Sequence, residues 1–398
     1  MIGPLVRQES RVRVGIQILS LRPGQVGGQE VLVRRLVARM LPLLGDDRIV
    51  VFHRPELAGQ SDWQGVLNHA KLDCVVANPE AHYGGGYAAW AIKVLQDARV
   101  DVAFFPLFFF FPRPLPIPLA VHVPDVQHEF YPEYFSAEEL AWRRERIPES
   151  VALADAVITG SEFSAGTLRE RLAADPVRLH VIYTGGFLQE ELDAAPLAPG
   201  ESPGAKGSPG ANDRTWEPLD APFVFYPAAD WPHKNHSTLL RAIAILARRG
   251  RPVRLVLTGI LTRSGDKLRA LVDVLGIAGR VHFLGCVDQR SLIGLYRRAA
   301  LLAFPSRFEG FGLPLVEAMQ LGCPVVASRA GAVVETVGDA AVFCDDSPEA
   351  WAEALDAVLE SPDLQADLRR RGRARAADFD WDAAARRYLA LLRGLADR

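Results

Sequence analysis

The 398-residue chain is short of lysine, cysteine and net charge, and it has no long uninterrupted apolar run. Each scarcity excludes something. Cys74, Cys286, Cys323 and Cys344 are widely spaced, which fits neither a zinc site nor a disulfide framework and points to a reducing compartment. A formal net charge of −3 leaves no basic footprint for nucleic acid and no acidic tail. The greasiest stretch, Phe104–Phe111, is interrupted by Pro106 and closed by Pro112 and Arg113; eight residues are too few to span a bilayer. It reads as a buried strand end with a proline-stiffened loop, or as an apolar lip that meets a lipid-linked acceptor. No secretory leader is visible, so a cytoplasmic protein is expected, with peripheral contact at the inner face of a membrane left open. No strand runs into a full G-x-G-x-x-G loop with an acidic residue about 20 positions on, which argues against a nicotinamide-dependent oxidoreductase. Asp345-Asp346 lacks an aspartate-x-aspartate form in a strand-to-loop setting; it reads as loop, and no metal site is expected.

What is present alternates. Apolar runs at Val12–Ile18, Arg48–Phe52, Val100–Phe105, Leu119–Val123, Ala156–Thr159 and Leu179–Tyr183 read as strands, with helical patterns between them, notably Gln29–Leu44 and a capped helix starting at Ser161 or Ser164. The segment 196–222, rich in Pro, Gly, Ser and Ala, reads as a flexible linker. Strands resume at Phe223–Tyr226, Arg254–Thr258, Val281–Leu284, Ala300–Phe304 and Pro324–Ala327. The expected fold is α/β: two Rossmann-like parallel-sheet domains facing across a cleft, with ligand at the C-terminal ends of the strands. The domains are placed at 1–195 and 223–375, with a last helix in 376–398 that packs back toward the first domain.

The most informative segment is Ser306–Ser328, SRFEGFGLPLVEAMQLGCPVVAS. Pro314 suits the first turn of a helix, and Gly310 and Gly312 leave the preceding backbone uncovered. A bare helix start attracts anions, so a diphosphate can rest on the amides of Phe311, Gly312 and Leu313. Glu309 and Glu317 would repel phosphate, so their natural partners are hydroxyls: sugar on one side, a ribose diol on the other. The plain alternative is a tight turn leading into a helix with an acidic residue in its first turn. Only five of the 45 basic residues are lysine, and one of them, Lys234, lies in a strand-to-helix loop where its ammonium can neutralise a diphosphate leaving group. His122-Val-Pro-Asp-Val-Gln-His-Glu129 is dense in polar groups after an apolar run, as a cleft loop would be, though Asp125 and His128 would equally serve to hold the loop together. The basic stretch Arg143, Arg144 and Arg146 beside Trp142 reads as a solvated helix face or as a dock for an anionic membrane.

E-G-F-G-L-P-x-x-E over nine positions resembles the Glu-x7-Glu signature of GT-B glycosyltransferases, specifically the large retaining family 4. His-Lys-Asn at 233–235 resembles that family's donor-lysine motif, and Gly27 and Gly28 its glycine-rich first loop. The Pro-Asp-x-Gln-His-Glu form resembles one branch of the family. The likeness spans almost the whole chain, strongest from 223 to 360. It implies a retaining transfer of a mannose- or glucose-type hexose from a nucleoside diphosphate donor, a GDP- or UDP-sugar, to a hydroxyl of a glycan or lipid-linked acceptor in cell-surface polysaccharide synthesis, with no cofactor. It implies catalytic roles for Lys234, Glu309, Asp125 and His128, and donor-binding roles for Glu317, Phe311, Gly312, Leu313, Gly27, Gly28, Val287 and Gly259. Two departures stand out. Pro124 occupies the position of the family's usual histidine, leaving His122 and His128 as substitutes, and Ala228 and Ala229 replace an arginine, leaving Arg263 or Arg307 to take its place. The rival readings are a sugar-nucleotide epimerase on the same fold and a non-catalytic nucleotide-sugar binding protein.

Overall fold

The apolar runs are buried on both faces, the condition under which strands align in parallel beneath helices. In the computed structural model, which describes residues 12–23, 27–77, 87–111, 115–195, 222–261 and 263–398, they form two sheets. The first comprises β1 (Arg13–Gln17), β2 (Arg48–His53), β3 (Leu72–Val76), β4 (Val102–Phe105), β5 (Leu119–His122), β6 (Ala156–Thr159) and β7 (Leu179–Val181) in the order β3-β2-β1-β4-β5-β6-β7. The second comprises β8 (Phe223–Pro227), β9 (Arg254–Thr258), β10 (Val281–Phe283), β11 (Leu301–Phe304), β12 (Val325–Ser328) and β13 (Ala341–Cys344) in the order β10-β9-β8-β11-β12-β13. All pairings are parallel. The expected linker, Pro222 apart, lies outside the described residues, as do residues 24–26 of the glycine-rich loop.

Strand order reverses between β1 and β4 in the first sheet and between β8 and β11 in the second. Such switch points open a crevice at the strands' C-terminal ends. The candidate residues lie mostly in loops at these C-terminal ends, those beginning after Gln17, Pro227 and Phe304 and, one strand beyond the first switch point, after His122.

β3 and β13 were not anticipated. Both are edge strands and only partly buried; β3 is interrupted by Asp73, and β13 is a four-residue apolar run at the sheet edge, closed by Asp345 and Asp346. The first helix spans Gly28–Met40 rather than reaching Leu44, because Pro42 turns the chain into a 3₁₀ segment over Leu41–Leu43. Ser161, not Ser164, caps the helix Glu162–Leu172, accepting from the Ser164 amide. The final helix, Trp381–Ala396, sits in the core of the first sheet: Trp381, Tyr388, Leu389 and Leu392 pack with Val14, Ile16, Leu36 and Phe104. Of the apolar stretch, Phe104, Phe105 and Phe110 are buried, while Phe109 meets the exposed Trp142 edge-on at 4.8 Å. Arg143, Arg144 and Arg146 pair with Glu139, Glu129 and Glu145. Among the described residues no helix is long and apolar enough to cross a membrane.

Candidate functional site

Lys234 and Glu309 come from loops 75 residues apart and meet at 2.6 Å, Nζ to Oε1, with both side chains largely buried. Their loops are stiff. The Tyr226 hydroxyl donates to the Lys234 carbonyl at 2.8 Å and lies 3.1 Å from Ser306 Oγ, tying the end of β8 to the end of β11. Asn235, in the left-handed region at φ 53, donates through its side chain to Asp346 Oδ1 at 2.7 Å. Asp346 Oδ2 accepts from Arg307 Nε at 2.8 Å, and the Arg307 amide donates to the His233 carbonyl. Of the two arginines considered for the place left by Ala228 and Ala229, Arg307 therefore borders Lys234, already engaged by Asp346; the side chain of Arg263 lies outside the described residues.

Directly after Glu309 the chain turns into the helix Leu313–Gln320. Gly312 occupies its N-cap at φ 93, a conformation glycine reaches without strain, and no side chain caps the helix; Pro314 brings no N–H and the Leu315 amide donates to the Gly312 carbonyl at 2.9 Å, which leaves the Leu313 amide and those of the preceding turn for an anion. Phe311 packs between Phe379 and Tyr183, its carbonyl bonded by Thr336 Oγ1 at 2.5 Å.

The loop after β5 closes over this turn from the first domain. Gly310 lies so close to Pro124 that a Cβ would stand 2.4 Å from the Pro124 carbonyl oxygen. Ser161 and Ser164 donate to the Gly310 carbonyl at 2.6 and 3.1 Å. Asp125 accepts from the Gln127 amide; burial pushes its carboxyl above the ordinary value, with Arg143 and Lys234 opposing and Glu309 adding to the rise. Asp125 thus shares the field of Lys234 and Glu309. The histidines do not. His128, expected in the cleft, is fully buried edge-on to Phe135 at 6.3 Å, and burial takes its pKa down to about 4. His122, at the end of β5, is also buried and lowered to about 4, with Nδ1 3.4 Å from the Pro106 carbonyl. Both imidazoles are withdrawn from solvent, His122 beside the Pro106 carbonyl and His128 between Phe135 and Glu129, 3.7 Å from its carboxylate.

Glu317 differs from expectation as well. It is 5% exposed, with Oε1 accepting from Arg35 Nη1 at 2.9 Å and Oε2 from the Tyr296 hydroxyl at 3.1 Å. Arg35 belongs to the helix Gly28–Met40 of the other domain and was not singled out. Nothing local marks it: it is one arginine among many, flanking an apolar stripe. Glu335 was missed for the same reason. Its carboxylate crosses the boundary to accept the amides of Glu162 and Phe163 at 2.7 and 2.8 Å, capping the helix Glu162–Leu172, and it also takes the Tyr183 hydroxyl.

Gly27, at φ 52, forms the N-cap of the helix Gly28–Met40, and Gly28 begins it; a Cβ at either would meet no described atom within 4 Å. Gly259, at φ 125, packs against the Ala228–Ala229 backbone so tightly that a Cβ would stand 2.6 Å away. Val287 lies half-buried before the helix Gln289–Arg298, whose N-cap is Asp288. Among the described residues no group of three metal-ligating side chains is assembled.

Two family models match in tandem: Glycosyltransferase Family 4 over residues 26–186, and Glycosyl transferases group 1 over 212–375. The D-inositol 3-phosphate glycosyltransferase of Segniliparus rotundus is 31% identical over 254 residues, covering 61% of this chain and 54% of its own. The protein of the same name in Salinispora arenicola is 32% identical over 243 residues, covering 58% and 53%. The chain spans about half the length of the curated relatives it matches. Among solved structures, sucrose-phosphate synthase from Thermosynechococcus elongatus superposes with a TM-score of 0.73 at 19% identity, covering 97% of this chain and 99% of that one. Anabaena HepE in complex with UDP and glucose gives 0.69 at 20%, covering 96% and 99%. At these identities the likeness is one of fold, and that fold is GT-B. With a family 4 domain followed by a group 1 domain on this frame, the chain belongs to the family 4 and group 1 glycosyltransferases.

Proposed function

We propose that this chain is a retaining hexosyltransferase that moves a mannose- or glucose-type sugar from a nucleoside diphosphate donor to an acceptor hydroxyl. The observation that carries this reading is the Lys234–Glu309 pair beside the uncapped start of the helix Leu313–Gln320. A diphosphate held there gains the ammonium of Lys234 and the amides of Phe311, Gly312 and Leu313 as its charge grows on leaving. Displacing the ammonium toward phosphate frees Glu309 to accept sugar hydroxyls. Glu317 would take the ribose diol, Val287 and Gly259 would border the nucleoside, and Gly27 and Gly28 would let the first helix approach the phosphates. Transfer on one face of the sugar, with the departing phosphate taking the acceptor proton, needs no protein nucleophile, and the reading requires no metal. Asp125, in the field of Lys234 and Glu309, would face the acceptor side.

A glycan or lipid-linked acceptor in cell-surface polysaccharide synthesis follows from the family likeness. The relatives' name favours a second acceptor class, a small phosphorylated polyol, and HepE, also solved in complex with UDP-glucose, makes that sugar nucleotide the first donor to try. The test is thermal stabilisation by GDP-, UDP- and dTDP-sugars, comparing the native protein with Lys234→Ala and Glu317→Ala. A shift for one nucleotide class that both variants lose supports the assignment. No shift with any of them, in folded protein, overturns it and favours a non-catalytic role. Product analysis with donor alone separates transfer from epimerisation.

A further inference from the structure

Arg35 is a buried charge with several partners besides Glu317. It pairs with Glu191 at 3.0 Å, donates to the Gly186 carbonyl at 3.0 Å and stacks on the Phe187 ring at 4.8 Å. Beside it Arg34 bonds Glu191 at 3.2 Å and Gln289 at 3.0 Å, so two guanidiniums and two carboxylates neutralise one another across the boundary. Glu191 and the Gly186 carbonyl remain partners of Arg35 within residues 1–195, in a segment that also packs on the second domain, where Phe187 exchanges two hydrogen bonds with Gln320. Glu317 depends on it more than Arg35 depends on Glu317. Once the domains part, the carboxylate keeps only the Tyr296 hydroxyl, among the polar contacts given above.

We propose that Arg35 is a positioning residue for the donor site: it presents the Glu317 carboxylate, fixed in direction and charge, to the donor's ribose only when the two domains are together. The proposal rests on the donor-site reading of Glu317. Arg35 and Tyr296 use one acceptor position on each carboxylate oxygen, and a carboxylate has about four, so two remain for a vicinal diol. Direction matters because a diol needs both oxygens turned toward it. Charge matters because a neutral carboxyl loses half of its accepting power. Burial pushes Glu317 above the usual carboxylate range even with Arg35 opposing, whereas Glu191, also buried, is held below that range chiefly by Arg35. Glu317 is therefore the acid of this cluster that would take up a proton without its guanidinium.

The experiment measures UDP and GDP affinity by calorimetry for native protein, Arg35→Met, Glu317→Gln and the double variant, each checked for folding by circular dichroism. Arg35→Met is expected to bind the accepted nucleotide about 10-fold more weakly, with the double variant no weaker than Glu317→Gln, since Arg35 acts through that carboxylate. In Arg35→Met the affinity is expected to recover as pH rises, at a higher pH than any fall in the native protein. Of the other groups facing Glu317, Tyr296 is pushed well above its ordinary value and Arg34 is a guanidinium; Glu191 also loses Arg35 in that variant but keeps Arg34 and the Leu188 amide, and Glu191→Gln in the Arg35→Met background separates its titration from that of Glu317. If Arg35→Met does not fold, Arg35→Lys, whose single ammonium cannot serve Glu191, Gly186 and Glu317 together, is expected to show an intermediate loss. Native-like affinity in Arg35→Met with only a lower Tm would reduce Arg35 to structural glue and overturn the proposal. Tighter binding would also overturn it, by showing that Arg35 occupies the carboxylate rather than presenting it. If native protein binds no nucleotide at all, the donor-site reading fails first and this inference falls with it.

Discussion

Replacing Gly310 with alanine perturbs the meeting of the two domains at a single atom. Gly310 is not among the residues with positive φ, so alanine is free of backbone strain there. Its Cβ, however, would stand 2.4 Å from the Pro124 carbonyl oxygen and 3.0 Å from Asp125 Cβ, on the other side of the boundary. The first obstacle is backbone and cannot swing aside like a side-chain tip, so the loops after β5 and β11 must part. Parting them also breaks the bonds from Ser161 and Ser164 to the Gly310 carbonyl. Two hydrogen bonds at about 1 kcal/mol each, with overpacking of roughly the same size, raise the closed arrangement by about 3 kcal/mol. That lowers its population roughly 100-fold. The assay is steady-state transfer combined with small-angle scattering and nucleotide calorimetry. The expected result is a kcat/KM about 100-fold down, a larger radius of gyration, and nucleotide affinity no weaker than that of Arg35→Met. Native kcat/KM in a Gly310→Ala protein would refute the reasoning, since it would mean that the loops need not touch during turnover.

Lys234→Ala is expected to lower kcat by about 100- to 1,000-fold, the usual loss when one preorganised charge is removed from a leaving-group site; unchanged kcat in a transfer assay would show that the phosphate is neutralised elsewhere. Glu335→Ala removes the acceptor of two helix-start amides, worth about 1–2 kcal/mol, and scanning calorimetry should record a Tm lower by about 3–6 °C, whereas an unchanged Tm would mean that the cap is replaced by water without loss. His122, His128 and His236 are each held near 4 by burial, against 6.5 in the unfolded chain. Between these values the unfolded state binds more protons, so stability present above about pH 6.5 is lost as pH falls. By about pH 5 the loss is roughly 2 kcal/mol per histidine, and the urea midpoint should drop accordingly.

Glu309 and Lys234 could be found from sequence because each sits in a short run of turn and helix-start residues whose chemistry is local. The central strands were found for a similar reason: residues such as Leu255, Val256 and Leu257 are apolar in succession because both faces are covered. Arg35 could not be found, since its partner is 282 positions away and its own helix accounts for it equally well as a surface arginine. Glu335 caps a helix about 170 residues earlier in the chain, and a capping pattern is recognisable only when the cap adjoins its helix. His128 misled because polar density suggests a cleft, whereas the direction of an imidazole is set by which neighbours exclude water, here Phe135 and the core behind it. The role of Glu317 was read from chemistry that holds for an open carboxylate; what covers it comes from the other domain.

The placement of the helix Trp381–Ala396 has a consequence for how the protein is made. The first sheet occupies the earliest part of the chain, yet Trp381, Tyr388, Leu389 and Leu392 fill its core. During synthesis the face they fill is covered by Val33, Leu36, Val37 and Trp63 of the early helices but not by the last helix, and the gap persists while the whole second sheet is translated. The second sheet, whose core draws on Phe187 and Ala195 but mainly on residues from Phe223 to Phe379, has no such wait. Order of emergence and order of completion are therefore reversed, and the early half carries an exposed apolar face that invites aggregation or chaperone binding until the last helix arrives.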